Sequence, residues 1–117
     1  MPYLMGGFPD IESSLAIGHA YADGGADLIE LGIPYSDPLA DGPVIQAAGA
    51  QALRAGSTVA SVLEVARDLS GRLPVIVMCY ANLVLSRGQD QFASALQQAG
   101  VSAVSYTHLT LPTILRV

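Results

Sequence analysis

The carboxyl group of Glu30 is the first feature of this sequence that could do chemistry, because it lies inside an apolar run. The run from Leu28 to Leu31 is typical of a buried strand, which Gly32 and Pro34 bring to an end. An unpaired carboxylate is costly to bury, so Glu30 is expected to be either paired or protonated. Two interpretations stay open: a core carboxylate hydrogen-bonded to a tyrosine or to backbone amides, or a functional acid at the carboxyl end of a central strand.

Two further carboxylates, Asp37 and Asp41, lie in the loop that follows this strand. The loop contains three prolines and two glycines between residues 32 and 43. In parallel α/β folds such loops form the active site. Two carboxyl groups in different surroundings can have different pKa values, so that one serves as general acid and the other as general base. Asp37 before Pro38 and Asp41 before Gly42 are also ordinary turn residues, so a purely structural role stays open for each.

Tyr80 is the third candidate, because it follows the next predicted strand. A tyrosine in this place either stacks on a flat ligand or merely packs at the rim of the site. Cys79 lies inside the strand and is typical of a small core residue rather than a nucleophile. The sequence has no glycine-rich dinucleotide fingerprint after a strand and no phosphate loop with Gly-Lys-Ser/Thr, and no metal site is predicted.

The elements that position these side chains follow from the spacing of the apolar residues. Short apolar runs predict strands at about residues 3–5, 28–31, 75–79 and from 101 onward, and longer periodic stretches predict helices at about 11–23, 44–55, 58–70 and 89–98. Strands of this kind are expected to be parallel and fully buried, which defines an α/β protein. A doubly wound open sheet and part of a (β/α)₈ barrel both fit; a complete barrel needs about 250 residues, so 117 residues make an incomplete one.

Composition excludes several classes of function. Hydrophobic residues make up 51% of the chain and charged residues 13%, which argues against disorder. Five basic residues against ten acidic ones argue against nucleic-acid binding. The longest apolar stretch, residues 73–85, is too short for a membrane span, and no signal peptide is recognisable at the start. With a single cysteine, a soluble cytoplasmic protein is expected.

Beyond these general features, the sequence resembles the tryptophan synthase alpha-chain family. The resemblance rests above all on the ungapped run IELGIPYSDPLADGPVIQ at residues 29–46, with shorter matches at 2–4, 8–10, 25–27 and 78–82. It implies a (β/α)₈ TIM barrel, here about β1 to β4. It also implies a lyase of tryptophan biosynthesis, which cleaves indole-3-glycerol phosphate to indole and glyceraldehyde 3-phosphate by a retro-aldol step.

The family's functional residues can be carried over by position. Glu30 resembles the general acid/base that protonates the indole ring, and Asp41 resembles the carboxylate that stabilises positive charge on the indole nitrogen. Tyr80 resembles a tyrosine lining the indole pocket. The resemblance further implies a tryptophan synthase beta chain as partner, in an alpha₂beta₂ tetramer. The loop residues facing it would be Pro34, Asp37 and Pro38. The alpha chain is expected to need no cofactor, since pyridoxal phosphate belongs to the beta chain.

The resemblance weakens near the end of the chain. We expect residues 1–103 to form the partial barrel domain and residues 104–117 to be a non-native tail. The tail resembles a translated sequencing adapter, and a divergent fourth strand and loop is the alternative, since Thr, Tyr, Val and Ile favour strands. His108 lies in this tail and is given no function. The phosphate-binding loops of the family have no counterpart here, so the chain alone is expected to be inactive; a fragment able only to dock on the beta chain is the alternative.

Overall fold

The computed structural model describes residues 1–36, 41–107 and 112–116. Within these ranges the chain forms five strands and five helices. The strands are β1 (Tyr3–Met5), β2 (Ile29–Gly32), β3 (Val75–Tyr80), β4 (Ala103–Thr107) and β5 (Pro112–Arg116). The helices are α1 (Ile11–Asp23), α2 (Pro43–Arg54), α3 (Val59–Ser70), α4 (Ala81–Arg87) and α5 (Gln89–Gln98).

The helix boundaries follow from local capping chemistry. Asp10 caps α1, because its side chain accepts a hydrogen bond from the backbone amide of Ser13 at 2.8 Å. Thr58 caps α3, and Thr58 and Ser61 satisfy each other's backbone amides reciprocally in a capping box. Pro43 begins α2, where its missing N–H costs nothing. These short-range signals place α1, α2 and α3 within a few residues of the sequence-based boundaries.

The sheet decides between the two architectures that the sequence leaves open. Its strand order is β1-β2-β3-β4-β5, and the pairs β1–β2, β2–β3 and β3–β4 are parallel. A doubly wound sheet would reverse its strand order at a switch point, whereas a barrel adds each parallel strand next to the previous one. The described chain therefore forms part of a (β/α)₈ barrel, as the resemblance implies.

The hydrophobic core lies between one face of this sheet and the helices. Ile29 and Leu31 of β2 and Val75 and Val77 of β3 are fully shielded, and they pack with residues of α3 and α5. The alternate residues of β3 are only half-buried. The expectation that these strands are buried on both faces is therefore wrong: the second face carries Glu30 and opens onto a cavity.

The sheet changes direction at its last strand. β4 pairs in parallel with β3 from Ala103 to Thr107, so the expected domain boundary between 103 and 104 falls inside this strand. β5 pairs antiparallel to β4. All strands of a (β/α)₈ barrel are parallel. β5 therefore runs in the opposite direction to the strand that would follow β4 in a barrel.

Candidate functional site

An open cavity of about 280 Å³ lies at the carboxyl ends of β1, β2 and β3. Three parts of the chain supply its walls: the strands themselves, the segment that follows β2, and α2. Apolar and aromatic side chains dominate the lining, which comprises Tyr3, Met5, Glu30, Ile33, Tyr35, Asp41, Ile45, Gly49, Met78, Cys79 and Tyr80. Two carboxylates in a mostly apolar concavity are the arrangement of a small-molecule site with a few polar groups.

Glu30 projects from β2 into this cavity and is half-buried. Its neighbours in the strand, Ile29 and Leu31, face the core, because successive side chains of a strand point to opposite faces. The sequence leaves open whether Glu30 is a core carboxylate or a functional acid, and the structure places it on the open face of the sheet. It needs no buried partner there and can reach a ligand.

Tyr3 lies beside Glu30, because the two residues are register partners on the parallel strands β1 and β2. Burial, followed by the charges of Asp41 and Glu30, raises the pKa of the Tyr3 phenol to about 12. The phenol therefore stays protonated near neutral pH. Its ring lies across Gly32, where a β-carbon would collide with the phenol oxygen. Tyr3 was not selected from the sequence, because its position beside Glu30 depends on the register between β1 and β2.

Asp41 reaches the same cavity from the amino-terminal end of α2. Its backbone carbonyl accepts a hydrogen bond from Gln46 Nε2 at 2.8 Å, which fixes the chain just before the helix begins. The positive end of the helix dipole favours a negative charge at this place. The structure thus brings together the two carboxylates, Glu30 and Asp41, that the sequence singles out.

Tyr80 lines the cavity at the end of β3 and stacks on Tyr35. The two ring centroids are 5.0 Å apart and the rings are inclined by 21°. Asn82 Nδ2 donates a hydrogen bond to the hydroxyl oxygen of Tyr35 at 3.0 Å. Sequence reasoning did not select Tyr35 for the site, and the helix α4 that carries Asn82 was not predicted. The stacked pair gives the cavity a flat aromatic wall.

The remaining candidate residues either do not line the cavity or lie outside the described residues. Pro34, in the segment that follows β2, is buried. Asp37 and Pro38 lie outside the described residues, and so does His108. Among residues 1–36, 41–107 and 112–116, no group of three or more His, Cys, Asp or Glu side chains could hold a metal ion. Within the same ranges, no helix has both the length and the apolar character needed to cross a membrane.

Cys79 is buried as part of the hydrophobic core, as predicted for a small core residue. Burial raises the pKa of its thiol from 9.0 to about 12, which lowers the thiolate fraction at a given pH about 1000-fold. We expect iodoacetamide at pH 8 to alkylate Cys79 in the native chain at least about 100-fold more slowly than in the urea-unfolded chain. Mass spectrometry of timed samples measures both rates. Equal rates would contradict the described burial of β3.

Comparison with known proteins identifies relatives of this arrangement. A family model described as "Tryptophan synthase alpha chain" matches residues 1–111. A tryptophan synthase alpha chain of Prochlorococcus marinus (strain MIT 9313) is 49% identical over 113 residues, which cover 95% of this chain and 41% of that protein. One from Methanopyrus kandleri is 45% identical over 87% of this chain and 37% of that protein. The chain thus spans about two fifths of the length of these relatives.

Solved structures agree with the sequence comparison. A chain of tryptophan synthase from M. tuberculosis superposes with a TM-score of 0.88 at 40% identity, over 92% of this chain and 44% of that one. A mutant tryptophan synthase alpha-subunit from the hyperthermophile Pyrococcus furiosus superposes with a TM-score of 0.87 at 33% identity, over 94% and 46% of the two chains. These values support a partial barrel, because less than half of each solved chain is matched.

Proposed function

Since the chain belongs to the tryptophan synthase alpha-chain family, we propose that it carries the acid–base part of a site that cleaves indole-3-glycerol phosphate. The observation that supports this most directly is the convergence of Glu30 and Asp41 on one cavity. The stacked rings of Tyr35 and Tyr80 add a flat apolar wall that suits a bicyclic aromatic ring. The family is a lyase family, and the cavity lies at the carboxyl ends of the strands, where barrels carry out their chemistry.

In the proposed reaction, Glu30 gives a proton to the indole carbon that bears the glycerol unit. Positive charge then develops on the indole nitrogen, and the carboxylate of Asp41 stabilises it. The bond from the ring carbon to the glycerol unit breaks, and its electron pair returns to the ring to give indole. The hydroxyl of the departing carbon loses its proton to Glu30 and becomes the aldehyde of glyceraldehyde 3-phosphate. Glu30 thus ends in its starting protonation state.

The chain alone is proposed to be inactive. It spans 41% of the Prochlorococcus relative, and no residue of this chain is assigned to the substrate phosphate. A carboxylate pair without a phosphate site orients the substrate poorly, and orientation supplies a large share of enzymatic rate. Turnover therefore requires the remaining part of the barrel.

The proposal extends to partners and location. The segment after β2, including Pro34, Asp37 and Pro38, would face a tryptophan synthase beta chain in an alpha₂beta₂ tetramer. Because Pro34 is buried, its proposed role is to support the segment, while Asp37 and Pro38 make the contact. Pyridoxal phosphate would be held by the beta chain. The free buried thiol of Cys79 suits a reducing compartment, so a cytoplasmic location is proposed.

We further propose that residues 1–103 form the barrel part and that residues 104–117 are a non-native tail. The antiparallel pairing of β5 supports this, because β5 occupies the edge of β4 that a following parallel strand needs. The family model matches residues 1–111, a range that includes the first part of the proposed tail. The test therefore compares a junction after residue 103 with a junction after residue 117.

Two chimeras with the Prochlorococcus marinus relative test the function and the tail together. In the first, residues 1–103 precede the part of the relative that follows its matching position; in the second, residues 1–117 precede the same part. We expect the first to release indole from indole-3-glycerol phosphate and the second to be inactive, since β5 blocks the sheet edge. Indole is measured by chromatography. An inactive but folded first chimera would contradict the proposed function, and two equally active chimeras would contradict the tail.

A further inference from the structure

One hydrogen bond joins the segments that follow two different strands. Asn82 Nδ2 donates to the Tyr35 hydroxyl oxygen at 3.0 Å, across 47 positions of sequence. Tyr35 follows β2, and Asn82 is the second residue of α4, which begins directly after β3. Tyr35 also stacks on Tyr80, with a centroid distance of 5.0 Å. The same short corner, residues 80–82, therefore supplies both a stacking surface and a hydrogen-bond donor to Tyr35.

The segment that begins at Tyr35 leads to Asp41, and it is held at that end as well. Gln46 Nε2 donates to the backbone carbonyl of Asp41 at 2.8 Å. Asn82 thus contacts Tyr35, and Gln46 contacts the backbone of Asp41. Both Tyr35 and Asp41 line the cavity.

We propose that Tyr35 and Asn82 form a positioning latch for this cavity. Their hydrogen bond holds the Tyr35 ring over Tyr80 and anchors the start of the segment that carries Asp41. This inference rests on the proposed function of the cavity, and neither residue is proposed to take part in the chemistry.

The hydroxyl group is what makes the contact directional. Offset-stacked rings can slide over one another at little cost, because the attraction between them varies slowly with lateral displacement. A hydrogen bond at 3.0 Å weakens steeply when its angle or distance changes. Asn82 is well placed to impose this constraint, since the backbone that sets its position is continuous with the strand that carries Tyr80.

The first test measures the latch itself in the 117-residue chain. Tyr35→Phe keeps the ring and removes the hydroxyl, and Asn82→Ala removes the donor. Hydrogen exchange is followed for the backbone amides of residues 33, 35, 36, 41 and 42. We expect each variant to speed exchange at 35 and 36 about fivefold, and the double variant to do no more than either single one. Additive effects, or none, would overturn the latch.

A rescue variant separates the latch from a general structural role. Asn82→Asp replaces the donor with an acceptor, to which the Tyr35 hydroxyl can donate, so exchange should return close to the wild-type rate at pH 7. Gln97→Ala removes an exposed side-chain amide on α5, outside the cavity, and serves as the matched control for Asn82→Ala. The urea midpoint should be unchanged in all variants, and a lowered midpoint with uniformly faster exchange would mean that the contact only stabilises the fold.

The second test connects the latch to the cavity, with indole as the probe. NMR titration of the wild-type chain and the same variants gives the dissociation constant for indole. We expect Tyr35→Phe and Asn82→Ala each to raise it about fivefold, and Asn82→Asp to restore it. Unchanged affinity in both single variants would overturn the positioning role. If the wild-type chain binds no indole while exchange remains non-additive, the latch is supported and the proposed function fails.

Discussion

Glu30→Gln is expected to lower the rate of indole release by the chimera that carries residues 1–103 by about 10²- to 10⁴-fold. Glutamine has nearly the same shape as glutamate, but its amide can neither give a proton to the indole ring nor take one from the glycerol hydroxyl. Glu30 is half-buried on the cavity face of β2, so the substitution leaves no uncompensated charge in the core. Steady-state kinetics should show the loss in kcat, with KM changed little.

Two observations make this result interpretable. Glu12→Gln, in the first turn of α1, changes an exposed glutamate outside the cavity and should leave kcat unchanged. Indole binding should be retained in Glu30→Gln, because the apolar and aromatic lining is intact. A Glu30→Gln chimera that keeps more than one tenth of the wild-type kcat would show that Glu30 is a structural carboxylate, the interpretation that the sequence left open.

The local part of the fold could be predicted from sequence because local chemistry determines it. Asp10 and Thr58 cap their helices through their own side chains, and a reader of the sequence can recognise both. The apolar run of β3 likewise identifies a strand without any knowledge of its neighbours. The choice between a barrel and a doubly wound sheet could not be made in this way, because strand order depends on where each crossover helix packs.

The site was predicted only in part, for a related physical reason. Glu30 and Asp41 were selected as candidates because one lies in an apolar run and the other in a loop at a strand end. Tyr3 and Tyr35 are ordinary residues in the sequence, and they belong to the site only through contacts made across the sheet. Tyr3 meets Glu30 through the register of β1 with β2.

The contact of Asn82 with Tyr35 depends on α4, a seven-residue helix. A helix of this length has little intrinsic stability, because its few backbone hydrogen bonds barely offset the conformational entropy lost in nucleation. Tertiary packing therefore decides whether it forms, and the sequence pattern alone gave no sign of it. The half-buried face of β3 likewise depends on tertiary structure, since its residues Met78 and Tyr80 line the cavity.

The two carboxylates differ in what holds them, and this difference supports the roles proposed for them. Glu30 belongs to a central strand between two paired neighbours, so its position is fixed by the sheet. Asp41 precedes a helix and is held through its backbone by Gln46. A proton-transfer group must be placed accurately against one atom, whereas a charge-stabilising group acts over a longer distance. The sheet-borne Glu30 is thus suited to acid–base work and Asp41 to electrostatic stabilisation.

Asp41→Asn in the same chimera tests that assignment. Asparagine forms turns as readily as aspartate, so the chain before α2 and its hydrogen bond with Gln46 should persist while the negative charge is lost. We expect kcat to fall about 10²- to 10³-fold, as in other sites that lose one group stabilising transition-state charge. A purely turn-forming Asp41 predicts the opposite, an unchanged kcat. The combined Glu30→Gln and Asp41→Asn variant should lose less than the product of the two single losses, because charge stabilisation contributes little once protonation has failed.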